Sequence, residues 1–347
     1  MTFNAVPNIQ DLAVDHVDSQ ETPERFNLTL ATCTRWTHDR RRFALYYEDA
    51  QGATSGHTFW DIQRTANQLS NVLAALGAVR GDRVAIVLSQ CPQAAIAHMA
   101  CYQMGIITVP IPVDSSREVL LDRLARSEAC LAIIDVQIWP TLITLRQQLP
   151  NLKKAIRVGE KAGQHPQSWL DLLEYAAPHY LPTDTAATDS AMLLFKRSPN
   201  PQTPAEMMLL PHATLFSYLP TYVATQMQSL NDPQISSPQP DDVFWSPLDW
   251  GEPAVLWFTL LSAWYFGVPV LACSAHFDAT KAFVLMQKYA VKNACFSSAQ
   301  IHKMMAEVPR PAEIYDLKLG KLMCVDSDHA QTVSGAEAFL NYLGRAA

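Results

Sequence analysis

Residues 58–110 read TFWDIQRTANQLSNVLAALGAVRGDRVAIVLSQCPQAAIAHMACYQMGIITVP, and this stretch decides the fold class. Thr58-Phe-Trp-Asp61 has the form of a capping box with aspartate in the acidic position. Ile62, Ala66, Leu69, Leu73 and Leu76 follow at helical spacing until Gly77. That spacing predicts an amphipathic helix. Gly81-Asp82 then turns the chain into Val84–Leu88, an apolar run of strand length. Pro92 opens a second helix that Gly105 closes, and Ile106–Pro110 is the next strand. A helix over Arg117–Arg126 and a strand over Cys130–Ile134 continue the βαβ repeat, so the sheet is predicted to be parallel.

The style repeats further along. Ala191–Phe195 and Met207–Leu210 read as strands around a polar, proline-rich loop, and a helix covers about Ala213 to Gln226. Strands are expected near Val243, Val268, Asn293 and Lys321, and a last helix from about Ser334 to Leu343. The predicted fold class is α/β, with two parallel-sheet lobes. The expected division is an N-terminal extension over 1–24, a first α/β subdomain over 25–185 and a second over 186–347. Asn231-Asp-Pro233 and Pro238-Gln-Pro240 give about 229–242 the chemistry of a mobile linker.

Composition narrows the function classes. With 347 residues and 49% hydrophobic content, the chain can bury a large core without disulfides. A formal charge of −7, with acidic residues scattered rather than clustered, gives none of the basic footprint that nucleic acid or an anionic membrane requires, so neither is expected as a partner. Seven cysteines, at 33, 91, 101, 130, 273, 295 and 324, form no CxxC pair, which indicates no zinc site and suits a reducing cytoplasm. Residues 1–24 carry Asp11, Asp15, Asp18, Glu21 and Glu24 and lack the apolar core of a signal peptide. Ala254–Ala275 has no formal charge, but Gly267-Val-Pro269 splits it into a buried helix and a buried strand rather than a membrane span. Charged residues make up only 17%, below the ~25% typical of soluble domains, which points to a large core or a partner-covered surface.

The ordered series Thr58-Phe-Trp-Asp61, Ala66-Asn67-Gln-Leu69, Leu76-Gly77, Gly81-Asp82-Arg83-Val84-Ala85-Ile86, Pro92, Gly105 and Val109-Pro110 resembles the opening of the adenylate-forming enzymes, the superfamily of acyl-CoA synthetases. Asp242-Val-Phe-Trp245-Ser-Pro247-Leu-Asp249-Trp250-Gly251 is similar to that family's D-x-x-W-x-x-x-D-x-G segment, and Phe266-Gly267-Val-Pro269-Val270 to the turn after it. The similarity covers about residues 25–325. It implies the two α/β lobes of the family's N-terminal region, without its β-barrel subdomain and C-terminal domain. It also implies an acyl pocket around Trp245, Asp249, Trp250 and Gly251.

The family holds the triphosphate of ATP in a loop, S-G-T-T-G-x-P-K-G. Its glycines let backbone N–H groups reach phosphate oxygens, and its lysine adds charge. The matching stretch here runs from Phe195 through Ser198, Pro199, Asn200, Pro201, Thr203, Pro204 and Glu206 to Met208, with no glycine, and Leu209-Leu210-Pro211-His212 fixes its register to within a residue or two. Pro199 and Pro201 each remove an N–H, and Glu206, or else Ala205, stands where the lysine would be. Lys196 and Arg197 are the candidate compensating cations. The Y-G-x-T-E adenine motif does not occur, and the G-G-E-like turn reads Asp326-Ser-Asp328-His329. The resemblance therefore implies that ATP and Mg binding are lost, that no catalytic residue or metal site remains, and that the chain is a shortened pseudoenzyme.

The expected function is non-catalytic: association with a protein partner, self-association into an oligomer, or holding an acyl or acyl-CoA ligand. The rival reading is a residual acid–CoA ligase-type or thioester enzyme working in the old acyl pocket. His212, beside the degenerate loop, reads better as a helix-start residue than as a catalyst.

Overall fold

The computed structural model describes residues 23–196, 204–227, 239, 241–325 and 333–343. Its strands are β1 (Phe43–Glu48), β2 (Thr54–Thr58), β3 (Arg83–Val87), β4 (Ile107–Pro110), β5 (Leu131–Asp135), β6 (Lys154–Val158), β7 (Ser190–Lys196), β8 (Glu206–Pro211), β9 (Phe244–Trp245), β10 (Val270–Cys273), β11 (Asn293–Ser297) and β12 (Lys321–Val325). They form two six-stranded sheets, ordered β6-β5-β3-β4-β7-β8 and β12-β11-β9-β10-β1-β2. In each, five parallel strands are finished at one edge by an antiparallel strand, β8 on β7 and β2 on β1. The two-lobed α/β class is thus observed, with an antiparallel pair at one edge of each sheet.

The chain enters the second sheet with β1 and β2, builds the first with β3 to β8, and returns to the second with β9 to β12. A cut at 185/186 therefore does not follow the sheets: β1 lies beside β10, with Leu45 opposite Val270, while β7 and β8 belong to the first sheet. Hydrogen bonding between segments more than 200 residues apart decides this, and local pattern cannot register it. The extension over 1–22 and nearly all of the linker over 229–242 lie outside the described residues.

Alternation along β3 places the layers. Val84 and Ile86 join a central core that draws on both sheets, whereas Ala85 and Val87 face a separate cluster with the helix Arg117–Arg126. Both faces of the sheet are buried, as parallel sheets require. The central layer holds the helices Phe59–Ala75, Pro92–Met104 and Leu215–Tyr222 and the helical run 253–265. Pro92–Met104 carries no charge and is buried nearly all round, which matches its place between the sheets. The capping box read from Thr58 and Asp61 is present. Within the uncharged stretch 254–275, Trp257, Phe258, Leu260, Leu261 and Trp264 lie in the central core. Among the described residues no helix is long and apolar enough to cross a membrane. Beyond the second sheet, Phe339 and Leu343 bring the helix Val333–Tyr342 onto Phe283 and Phe296.

Candidate functional site

The sheets approach one another at the C-terminal ends of their strands, where open α/β sheets place ligands. Gln90 follows β3 and is buried. Its amide Nε2 donates to Ser246 O at 2.9 Å and to Leu248 O, and its Oε1 accepts from Cys273 N at 3.3 Å. One glutamine thus ties the first sheet to the turn after β9 and to the end of β10. The same turn closes at Gly251, where an added Cβ would stand 2.4 Å from Pro112 N and 2.8 Å from the Ile111 carbonyl carbon. Glycine is required there by the approach of the β4 end, not by its dihedral angles.

Within the turn, Asp249 Oδ1 accepts from Gly251 N at 2.7 Å. Burial raises the Asp249 carboxyl to about 6; the Gly251 N–H opposes that rise, and Asp114 and Glu252 add to it. Cys91, at the start of the helix Pro92–Met104, is pushed up to about 12 by burial and is a thiol rather than a thiolate. Asp249 is thus a carboxyl that burial holds above the usual aspartate range.

The four residues expected to share an acyl pocket divide. Asp249, Trp250 and Gly251 stay together on the turn, with Trp250 in the central core. Trp245 lies in the outer cluster, edge-on to Phe296 at 5.3 Å between ring centroids. The space beside Trp245, bounded by Pro247, Cys273, His276 and Lys281, is about 10 Å³, roughly what one water needs. Both indole N–H groups are buried without a hydrogen-bond partner.

Of the degenerate loop, Ser198, Pro199, Asn200 and Thr203 lie outside the described residues, as do Arg197 and the turn at 326–330. Its two stems are seen. β7 and β8 pair antiparallel with Lys196 opposite Glu206, so a carboxylate stands across from the last cation of the stem. The Arg126 guanidinium donates to Ala205 O at 2.6 Å and to Asp122 at 3.1 Å. His212 is buried at the start of the helical segment that leads into Leu215–Tyr222; its Nδ1 accepts from Leu28 N at 3.3 Å. Burial lowers it to about 4, so it is a neutral core residue. Sequence reasoning passed over Gln90 and Arg126, since a lone glutamine after a strand and an arginine late in a helix carry no local signal.

Two parallel sheets stacked across buried helices, with a carboxylate turn where their strand ends meet, form the large α/β body of an adenylate-forming protein. The family model described as AMP-binding enzyme matches residues 34–345, and the chain belongs to this family. Acyl-coenzyme A synthetase ACSM3, mitochondrial, of Rattus norvegicus is 22% identical over 295 residues, covering 83% of this chain and 49% of the relative. Acyl-coenzyme A synthetase ACSM2A, mitochondrial, of Homo sapiens is 23% identical over 255 residues, covering 72% and 42%. The chain spans about half the length of the curated relatives it matches. Among solved structures, an acyl-CoA synthetase from Brucella canis superposes with a TM-score of 0.80 at 17% identity, over 98% of this chain and 61% of that one. The N-terminal domain of FACL13 from Mycobacterium tuberculosis does so with 0.74 at 20%, over 92% and 73%. These structures share the fold.

Proposed function

We propose that this chain is a non-catalytic member of its family that acts through protein association or by holding an acyl-type ligand, in a reducing compartment such as the cytoplasm. One observation carries the reading. The stretch between Phe195 and Met208 contains no glycine, and its stems set Glu206 against Lys196. A triphosphate needs converging backbone N–H groups and net positive charge. Pro199 and Pro201 withhold two N–H groups, Glu206 adds negative charge, and Arg126 is already engaged by Asp122 and the Ala205 carbonyl. The residues present do not fit ATP–Mg, so no step is routed through it. The edge strand β8 supports association: among the described residues it pairs with β7 alone, and Met207 is 42% and Leu209 50% exposed. The test is pyrophosphate exchange measured across a panel of carboxylic acids: the reading requires none above background, and exchange with any acid overturns it.

A second reading rests on Asp249. A carboxyl titrating near 6 at the meeting of the sheets could serve as a general base for thioester chemistry without ATP. Acyl-CoA hydrolysis that is abolished by Asp249→Asn, in a variant of unchanged stability, would select this reading over the first.

A further inference from the structure

The chain is acidic overall, yet residues 35–42 read RWTHDRRR. This turn packs onto the start of the helix Phe59–Ala75 through the Phe59 N–H, which donates to Arg42 O at 3.1 Å. We propose that the face joining this turn to the helix start is a docking surface for a carboxylate-rich peptide segment of a partner protein, read by Arg35, Arg40, Arg41 and Arg64.

Three features, taken together, mark this face. First, its four arginines are exposed and form no ion pair among the described residues, whereas Arg25, Arg80, Arg83, Arg126 and Arg310 each pair with a carboxylate. Of the carboxylates on these elements, Asp39 accepts from Arg41 N at 3.0 Å, and Asp61 accepts from Thr58 N at 2.9 Å and Thr58 Oγ1 at 2.6 Å. Second, three of the four, Arg35, Arg40 and Arg64, lie against aromatic rings, and the half-buried Arg42 shares one of them. Arg40 and Arg64 flank Trp60 at 4.8 and 5.8 Å, and Arg35 and Arg42 flank Trp36 at 4.8 and 4.0 Å. Third, Trp36 is fixed by its Nε1 donating to Trp264 O at 2.8 Å, so its cations rest on an anchored ring. Stacking lowers the entropy that an arginine loses on binding and leaves its planar fork free for a carboxylate.

The choice of anion follows from the same geometry. Single-stranded nucleic acid stacks its bases on aromatic faces, but here the chain's own guanidiniums lie against the indoles. A bilayer or duplex presents negative charge well beyond one patch, and a body of net charge −7 opposes that approach. A short acidic segment places its charge within a Debye length, about 8–10 Å, of the arginines alone.

The test uses the full chain and fluorescence anisotropy of a fluorescein-labelled deca-glutamate peptide. Saturable, salt-sensitive binding is expected. R40Q with R64Q should weaken it by about tenfold or more, and R40K with R64K, which keeps the charge but loses the fork, by about threefold or more. Arg310→Gln, removing a paired arginine elsewhere, should leave it unchanged. The lysine variant also shows any effect of altered folding, through its urea midpoint. Binding that survives R40Q with R64Q, falls equally in Arg310→Gln, is retained in full by the lysine variant, or is exceeded about tenfold by phosphatidylserine vesicles or oligo-dT overturns the proposal.

Discussion

Replacing Gly251 by alanine tests whether the turn after β9 is clamped to the first sheet. The added Cβ would meet Pro112 N at 2.4 Å, Pro112 Cα at 2.5 Å and the Ile111 carbonyl carbon at 2.8 Å. All three are backbone atoms, so no side chain can rotate aside, and the turn must retreat from the β4 end by about 1 Å to restore ordinary contact. Overpacking of this kind costs about 1–3 kcal/mol. The retreat also pulls Ser246 and Leu248 away from Gln90, and losing one such buried hydrogen bond adds about 1 kcal/mol. The expected total is about 3 kcal/mol, read as a fall in the urea midpoint at unchanged slope. Gly320→Ala is the matched control, because its added Cβ has nothing closer than Lys292 O at 3.9 Å and its dihedral angles suit any residue. It should lie within about 0.5 kcal/mol of wild type. If the two variants unfold at the same urea concentration, the clamp between the sheets is not as described.

Further expectations follow from the buried polar groups. Asp249 ionises near 3.8 when unfolded and near 6 when folded, so the wild type loses stability as pH rises from about 4 to about 6. Asp249→Asn should remove that loss, on the order of 1–3 kcal/mol, in urea titrations across pH. His98 and His212 have the opposite sign: burial lowers them from 6.5 to about 3 and about 4, so the unfolded chain binds protons that the folded chain refuses, and stability falls as pH drops from 6.5. His98→Phe should flatten that acid limb. Trp264→Phe removes the indole bond to Ala44 O at 2.9 Å that ties the helical run 253–265 to β1, and should cost about 2–4 kcal/mol by thermal or urea unfolding. Light scattering after size exclusion should give a mass above 38.6 kDa at tens of micromolar; a sharp 38.6 kDa species would remove self-association.

Sequence was most legible where local rules act alone. The Thr58–Asp61 cap, the Pro92 start and the Gly105 end, with its left-handed φ of 67°, were written in the chain and are present. The β1–β2 hairpin was not foreseen, because β2 reads Thr-Ser-Gly-His-Thr, an exposed polar strand without an apolar signature. Its role in the second sheet depends on pairing with β10. The site followed the same division. The turn at Asp249–Gly251 could be picked out by pattern, but the neighbours that raise Asp249 include Asp114, contributed by the other sheet. Trp245 and Trp250 look like neighbours in sequence, yet the pleat sends Trp245 outward while the turn carries Trp250 into the central core. The arginine turn at 35–42 was passed over in a chain of net charge −7, and its juxtaposition with Trp60 and Arg64 required the helix start to pack against it.

If the stretch between Phe195 and Met208 cannot cradle a triphosphate, ATP finds no hold on this chain. Isothermal titration of the 347-residue chain with ATP in excess magnesium tests it directly. No saturable heat is expected up to millimolar ATP, with or without the metal. Magnesium-dependent binding in the micromolar range, lost when Lys196 is replaced by alanine, would contradict it and restore the loop as a phosphate site.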